Sequence, residues 1–296
     1  MNLSHTGLPL LSTHGRRRGL VSTAARLSLF FLWTGAIIVA WLARRPFVPA
    51  RSRPVEAARF SRRWSLAVLR ILGLRVKVHG PLPPHPFFLV TNHLGYLDIA
   101  VIASQVPCTF VSKSEVAGWP VFGTLASLAG TLYVDRKSKR DAGRVSRLIP
   151  DHFAAGGSLA LFAEGTSTAG YQVAPFRSPM LEYPAASRFP VHCAALKYRA
   201  PEGFPPAAST MCWWGEADFL PHFLNLFRIP GMNADLAFAY HPVSGADRKT
   251  LAVLLHECVE ERLTYLNRLR LDSPPPRDLG VEGVVAADAS APEAMA

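Results

Sequence analysis

The sequence predicts an α/β protein: a mixed, mostly buried sheet flanked by helices and preceded by an N-terminal membrane-associated helical segment. Three observations support this fold class. Residues 27–43 form an uncharged apolar run, short apolar strands alternate with helical stretches from residue 74 onward, and 49% of the chain is hydrophobic. That share is enough for one sizeable core but too small for a chain that crosses a membrane many times.

The N-terminal segment is predicted to anchor the protein to a membrane. Residues 1–26 are basic and are expected to be disordered. The apolar run that follows has 17 residues and would extend roughly 26 Å as a helix, slightly less than a hydrocarbon core of about 30 Å. Two arginines follow the run without a small-residue cleavage site, which disfavours a signal peptide. We therefore predict an anchor, spanning or re-entrant, and a buried helix of a soluble domain is the alternative.

The charge of the chain is concentrated around this run. Residues 1–80 hold 14 Lys and Arg and a single acid, Glu56, whereas the rest holds 18 basic and 20 acidic residues. Basic residues that flank an apolar run indicate an anionic membrane surface as partner rather than nucleic acid. More arginines follow the run than precede it, which predicts a cell-membrane protein whose body lies on the cytoplasmic face.

The next helix and the body are predicted from periodicity. Residues 55–72 are predicted to form an amphipathic helix that either packs on the domain or lies in the lipid interface. The membrane anchor and this helix together are assigned to residues 27–72. Within the body, 73–270, strands are predicted at 74–80, 87–93, 108–113, 131–136, 158–165, 189–198, 209–214 and 234–243. Helices are predicted near 97–106, 115–129, 139–155, 217–227 and 246–270. Residues 271–296 are predicted to be a disordered tail.

The segment TNHLGYLDIA, 91–100, contains the first candidate site. A buried strand ends at His93, and Asp98 begins an apolar helical run. Five positions along one helix are about 140° apart, so these side chains meet only if His93 lies in the loop and Asp98 lies in the first helical turn. A carboxylate that orients an imidazole makes it a suitable general base. A purely structural pair is the alternative.

The segment LFAEGTST, 161–168, contains the second candidate site. It is an apolar strand that ends in Glu164, Gly165 and Thr166. Ligand sites in α/β sheets gather at strand ends of this kind. Backbone amides and hydroxyls around Gly165 suit phosphate or other head-group oxygens, which Glu164 is placed to orient. An ordinary strand-to-turn exit is the alternative.

From about residue 60 to 245 the chain resembles the glycerolipid acyltransferases typified by 1-acylglycerol-3-phosphate acyltransferase. The first family motif, NHxxxxD, is matched by Asn92, His93 and Asp98. The other blocks are matched in order by GTLYVDR with Gly130 and Arg136, by FAEGT with Phe162, Glu164, Gly165 and Thr166, and by Phe189-Pro190-Val191.

This resemblance implies transfer of a fatty acyl group from acyl-CoA or acyl-carrier protein to a lysolipid hydroxyl. The acceptor would be a lysophosphatidate or a lyso-aminolipid such as lyso-ornithine lipid, and no metal or further cofactor is expected. His93 would be the base and Asp98 its orienting partner. Lys113 or backbone amides would stabilise the oxyanion. The acceptor would be bound by Arg136, Glu164, Gly165 and Thr166.

One departure from the family pattern concerns the acceptor. Members that form phosphatidate usually read EGTR, but here Ser167 follows Thr166. We therefore expect a different acceptor or an arginine from elsewhere, and Arg177 in APFRSPM is a candidate unless it pairs with a local acid. GTSTA, 165–169, also nearly matches a GxSxG nucleophile elbow. A Ser167-dependent lipid hydrolase or thioesterase is therefore the alternative function.

Overall fold

The computed structural model describes residues 13–269. A seven-stranded sheet has the order β1-β7-β6-β2-β5-β3-β4. All neighbouring strands are parallel except β6 and β7, so the predicted mixed sheet is confirmed. The strands are β1 Arg75–His79, β2 Phe88–Thr91, β3 Thr109–Lys113, β4 Leu132–Val134, β5 Leu159–Phe162, β6 Val191–Arg199 and β7 Asn233–Phe238.

Helices cover both faces of the sheet. They are α1 Thr13–Arg44, α2 Arg53–Leu72, α3 Leu97–Gln105, α4 Phe122–Leu128, α5 Lys139–Ala154, α6 Glu182–Ser187, α7 Ala207–Thr210, α8 Phe219–Leu226 and α9 Arg248–Arg268. One core cluster joins α1, α2, α3 and α8 to the sheet, and a second joins α5, α6 and α9 to its other face. On β2, Leu89 faces the first cluster whereas Phe88 and Val90 face the second. This burial on both faces is why the strand is apolar throughout.

The chain is helical earlier than the sequence indicated. Residues 13–26 were expected to be disordered but belong to α1, so this expectation is wrong for them. The physical reason is a tertiary contact, because the Arg26 side chain donates hydrogen bonds to the carbonyl oxygens of Phe227 and Ile229 at 3.4 and 3.2 Å. Residues 1–12 and the predicted tail, 271–296, lie outside the described residues.

Helix α1 contains the candidate membrane segment. The stretch Gly19–Phe47 is long and apolar enough to cross a membrane, by length and composition. One side of α1 packs on α2, where Trp41 stacks on Phe60 and the indole N–H of Trp64 donates to Thr34 at 3.1 Å. The other side exposes large apolar side chains, with Leu32 71% exposed. Helix α2 packs on α3 and buries its apolar face, as the first of its two interpretations predicted.

Two predicted elements differ in the structure. Residues 209–214 were expected to form a strand, but they contain the end of α7 and a loop, so that prediction is wrong. Two prolines, 205 and 206, start a helical turn there, and the Trp213 N–H bonds to the loop carbonyl of Leu94 at 2.8 Å instead of to a strand. The helix predicted at 115–129 is divided into a 3-10 helix, Ser114–Gly118, and α4, because Pro120 interrupts it.

Candidate active site

His93 and Asp98 lie together where β2 ends. His93 is in the loop after β2, and Asp98 is the second residue of α3, which is the arrangement that the spacing required. His93 Nδ1 is 2.7 Å from Asp98 Oδ2. The ionised carboxylate only accepts hydrogen bonds, so Nδ1 carries the hydrogen and Nε2 is the free base of the ring. The pair therefore has the geometry of a general base and its orienting acid.

Asp98 is fully buried, yet four donors surround its carboxylate. Besides His93, the backbone N–H groups of Leu94 and Gly95 donate to Oδ2 at 2.6 and 3.0 Å, and the Tyr198 hydroxyl donates to Oδ1 at 2.7 Å. Both carboxylate oxygens are therefore hydrogen-bonded, as a buried polar group requires, and the carboxylate is fixed in place. Tyr198 is 100 residues away on β6, and nothing in its local sequence marks it as part of the site.

The imidazole of His93 is also held by ring stacking. Its plane lies on the ring of Phe162, with centroids 4.1 Å apart and planes inclined by 17°. Phe162 in turn stacks on Phe110 of β3 at 6.0 Å. Gly95 is needed in this loop because a Cβ there would lie 2.9 Å from the Trp213 backbone nitrogen. Phe162 contacts the His93 ring and Trp213 contacts the loop at Gly95, and these two contacts limit the rotation of the His93 imidazole.

Glu164 links the exits of β2 and β5. Its Oε1 accepts the backbone N–H of His93 at 2.6 Å, and its Oε2 accepts that of Ala174 at 2.9 Å. The backbone N–H and the hydroxyl of Thr168 both donate to the His93 carbonyl, at 2.8 and 3.3 Å, so three hydrogen bonds join the two loops. Burial raises the pKa of Glu164 to about 7. Its contacts make Glu164 a residue that positions His93, and acceptor binding by Glu164 stays a prediction.

A cavity of about 360 Å³ opens beside His93. The structure brings five of the seven predicted site residues to its wall, whereas Asp98 and Glu164 lie behind it and hold the loop. The polar part of the wall is formed by His93, Lys113, Arg136, Gly165, Thr166 and Ser167. The remaining wall is mostly aromatic and aliphatic, with Trp213 and Trp214 and side chains from α1, α2, α4 and α8.

Two arginines meet at the turn formed by residues 164–166. A guanidinium N–H of Arg136 donates to the Gly165 carbonyl oxygen. The Arg177 side chain passes so close that a Cβ on Gly165 would lie 2.9 Å from its Cδ. Burial first, and then the charge of Arg177, lowers the pKa of Arg136. Within residues 13–269 no ion pair joins Arg177 to a carboxylate, so the expected alternative of a local acid is wrong.

Metal ligands do not cluster in the part of the chain that the structure describes. No three His, Cys, Asp or Glu side chains of residues 13–269 lie close enough to hold a metal ion. The polar groups that do converge on the cavity are an imidazole, one guanidinium group, an amine and hydroxyls, all at the carboxyl edge of the sheet. Fold and site together define an α/β protein in which a His–Asp pair lies at the polar end of a cavity suited to an apolar chain.

Comparison with known proteins shows the family to which the chain belongs. The acyltransferase family model matches residues 75–197. Lyso-ornithine lipid O-acyltransferase of Pseudomonas aeruginosa is 30% identical over 238 residues, which cover 80% of this chain and 90% of that protein. The protein of the same name from Rhizobium meliloti is 32% identical over 226 residues, or 71% and 75% of the two chains. The chain therefore belongs to the acyltransferase family and is an acyltransferase, as the motifs predicted.

Two further comparisons are more distant. The 1-acyl-sn-glycerol-3-phosphate acyltransferase of Neisseria meningitidis is 29% identical over 133 residues, 44% of this chain and 52% of that protein. The crystal structure of PlsC, the 1-acyl-sn-glycerophosphate acyltransferase of Thermotoga maritima, matches with a TM-score of 0.59 and 17% identity. It covers 87% of this chain and 99% of its own, and at that identity it supports the fold alone.

Proposed function

We propose that this enzyme transfers a fatty acyl group from an acyl thioester, acyl-CoA or acyl-carrier protein, to the hydroxyl of a lysolipid. The observation that carries the proposal is the 2.7 Å contact between His93 and Asp98 at the polar end of an apolar cavity. The relatives that match over most of their length are named for lyso-ornithine lipid, which makes that lipid the favoured acceptor. Lysophosphatidate is the second.

The chemistry follows from the free nitrogen of His93. Nε2 accepts the proton of the acceptor hydroxyl while the hydroxyl oxygen attacks the thioester carbonyl carbon. The new C–O bond forms, the C–S bond breaks, and the imidazolium returns the proton to the leaving thiolate. Asp98 fixes the tautomer and stabilises the imidazolium, so no covalent enzyme intermediate is required. The Lys113 ammonium, on the same cavity wall, is the proposed donor to the oxyanion.

The acceptor is proposed to bind at the other side of the reacting carbon. Arg136 and the backbone and hydroxyl of Gly165 and Thr166 line the cavity beside His93. A guanidinium group makes strong, directional hydrogen bonds to carboxylate or phosphate oxygens. These residues would orient the head group so that the hydroxyl faces Nε2, while the apolar wall holds an acyl chain.

The enzyme is proposed to work at the cell membrane with its body on the cytoplasmic face. The support is the segment Gly19–Phe47, whose length and composition suit a membrane, together with the exposed apolar side chains of α1. Arginines 59, 62, 63 and 70 of α2 are exposed close to that segment, where they are placed to meet anionic lipid.

The test is a product assay with the full-length enzyme in detergent. Labelled acyl-CoA and acyl-carrier protein are each offered with lyso-ornithine lipid, lysophosphatidate or no acceptor. We expect label in a diacylated product, only with acceptor present. Release of labelled free fatty acid that needs no acceptor would instead favour the Ser167 hydrolase, because Ser167 lies on the same cavity wall. Loss of that release in Ser167→Ala would complete the case against acyl transfer.

A further inference from the structure

A short turn that follows α7, residues 213–217, forms part of the wall of the cavity beside His93. Three of its residues line the cavity: Trp213, Trp214 and Gly215. The backbone N–H of Trp213 donates to the carbonyl oxygen of Leu94 at 2.8 Å, so the turn is bonded to the loop that contains His93. The indole N–H of Trp213 donates to the Ala217 carbonyl at 2.7 Å and closes the turn on itself. The side chains of this turn therefore lie at the polar end of the cavity.

Trp214 presents an indole ring that no other ring covers. Its indole N–H donates to the carbonyl oxygen of Ala208 at 2.8 Å, which fixes the side chain. The neighbouring Trp213 packs against three other aromatic rings. Within residues 13–269 no aromatic ring packs on Trp214, and its side chain is 43% exposed although it lines the cavity. The Trp214 ring is therefore open to a ligand and already held in place.

The turn also brings a negative charge to a part of the protein that is otherwise positive. Apart from His93, the charged side chains on the cavity wall are Lys113 and Arg136, both cations. Glu216 follows Gly215 directly and is exposed. Across the part of the chain that the structure describes, no cationic side chain forms an ion pair with Glu216. An open indole face and a carboxylate two positions away both attract a cation, and neither attracts an anion.

The two proposed acceptors differ in the charge that this turn would meet. The head group of lyso-ornithine lipid contains a side-chain ammonium, whereas lysophosphatidate carries only negative charge. Tryptophan is the side chain whose ring attracts an ammonium group most strongly. A cation at this turn would also lie apart from Lys113 and Arg136, which enter the cavity from the ends of β3 and β4.

We propose that the Trp214 ring and the Glu216 carboxylate bind the side-chain ammonium of a lyso-ornithine acceptor. This inference rests on the proposed function and deepens it, because it names the residues that distinguish this acceptor from lysophosphatidate. The ammonium lies over the indole face and the carboxylate balances its charge. The acceptor hydroxyl faces His93 in the same cavity, since the turn is bonded to the His93 loop.

The first test changes the lipid and leaves the enzyme unaltered. Kd values are measured without acyl donor for lyso-ornithine lipid and for an analogue in which norvaline replaces ornithine. Norvaline keeps the carbon chain and the carboxylate but has hydrogen in place of the side-chain ammonium. We expect the analogue to bind roughly two- to thirtyfold more weakly, which is the range of a cation–π contact.

The second test changes the turn. Trp214→Leu, which keeps an apolar side chain, and Glu216→Gln should each raise the Kd for lyso-ornithine lipid by a factor in the same range. Neither should change the Kd for the norvaline analogue or for lysophosphatidate, and the effect of Glu216→Gln should shrink at high salt. Trp214→Phe keeps an aromatic face and should retain most of the affinity. Glu202→Gln, at an exposed acid of another loop that does not line the cavity, is the control and should change no Kd.

Several outcomes would overturn the inference. Equal Kd values of the unaltered enzyme for lyso-ornithine lipid and the norvaline analogue would reject the ammonium site, and that result does not depend on the folding of any variant. An equal loss of affinity for all three lipids in Trp214→Leu would show that the ring contacts an acyl chain instead. Selective binding of lyso-ornithine lipid without acyl transfer would reject the proposed function and support this inference. Acyl transfer without any preference for the ammonium would do the reverse.

Discussion

At the scale of single residues, the environment of Asp98 decides what His93 can do. Its buried carboxylate accepts hydrogen bonds from one side-chain hydroxyl and two backbone N–H groups, and it contacts the His93 ring. The sequence predicted that His93 and Asp98 could meet, because both lie on one short strand–loop–helix segment, and the family motif rather than the five-residue spacing alone marked them as a candidate site. Tyr198 could not be predicted, because only the folded sheet brings β6 to Asp98.

Replacing the proposed base should abolish turnover without unfolding the protein. His93→Ala is expected to lower kcat by about 10²- to 10⁴-fold, the usual contribution of a general base. Because the His93 ring also contacts Asp98 at 2.7 Å and stacks on Phe162, its loss should lower the melting temperature but leave a single cooperative unfolding transition. Rate and melting curve should be measured on the same preparation. Near-normal turnover in His93→Ala would remove this residue from the mechanism.

Tyr198→Phe tests the buried end of the same network. The substitution leaves Asp98 Oδ1 without its 2.7 Å donor, and a hydrogen bond to a charged group contributes about 1.5–3 kcal/mol. We expect a lower melting temperature together with a lower kcat, measured by thermal unfolding and by acyl transfer. Tyr171→Phe, at an exposed tyrosine, is the matched control. Equal stability of the two variants would show that the Tyr198 hydroxyl does not support Asp98.

At the scale of elements, the site is built where two parallel strands end at the same edge of the sheet. The exits of β2 and β5 are bonded through Glu164 and through the Thr168 N–H. The sequence predicted both strand ends but assigned Glu164 to the acceptor. Glu164 accepts the backbone N–H groups of His93 and Ala174 because the loops after β2 and β5 lie against each other. Neither the spacing nor the residue types of the sequence show that these two loops meet.

The raised pKa of Glu164 predicts how stability depends on pH. Burial places the folded pKa at about 7 against 4.5 for the ordinary group, so the folded state binds the proton more tightly than the unfolded state. The Glu164 contribution to stability is therefore fully present below about pH 4.5 and is lost as the pH rises through about 7.

The measurement for Glu164 is a comparison of two pH series. Melting temperatures of the unaltered enzyme and of Glu164→Gln are recorded from pH 4.5 to 8, and their difference isolates this one group from other titrating residues. We expect the unaltered enzyme to lose stability relative to the variant across this range. A constant difference between the two series would contradict the raised pKa.

At the scale of the whole molecule, α1 packs on the body of the protein with one side and leaves an apolar face uncovered on the other. The cavity beside His93 is walled partly by α1 and α2, so the candidate membrane segment is also part of the catalytic body. The sequence predicted a separate anchor followed by a domain. It could not predict that α1 contributes Phe30 to the cavity wall, because Phe30 packs against Phe223 and Phe227, which are almost 200 residues away in the sequence.

Membrane association should depend on the exposed face of α1. Leu32→Asp places a charge on that face, and a charge in the apolar part of a membrane helix costs roughly 2.5–3.5 kcal/mol. We expect a smaller fraction of the protein to float with vesicles that contain anionic lipid. Val253→Asp alters a side chain of α9 that is 57% exposed and should leave flotation unchanged. Equal flotation of both variants would show that α1 does not carry the membrane contact.

The sequence by itself determined most of the order of strands and helices, the family motifs, the apolar basic N-terminal segment and the His93–Asp98 pair. Each of these depends on neighbouring residues, whose geometry the backbone fixes locally. The tertiary structure alone decided the contacts of Tyr198, Glu164 and Arg177, the loop at 209–214 and the lining of the cavity beside His93. These depend on which distant segments the core brings together, and packing of that kind is a property of the whole chain.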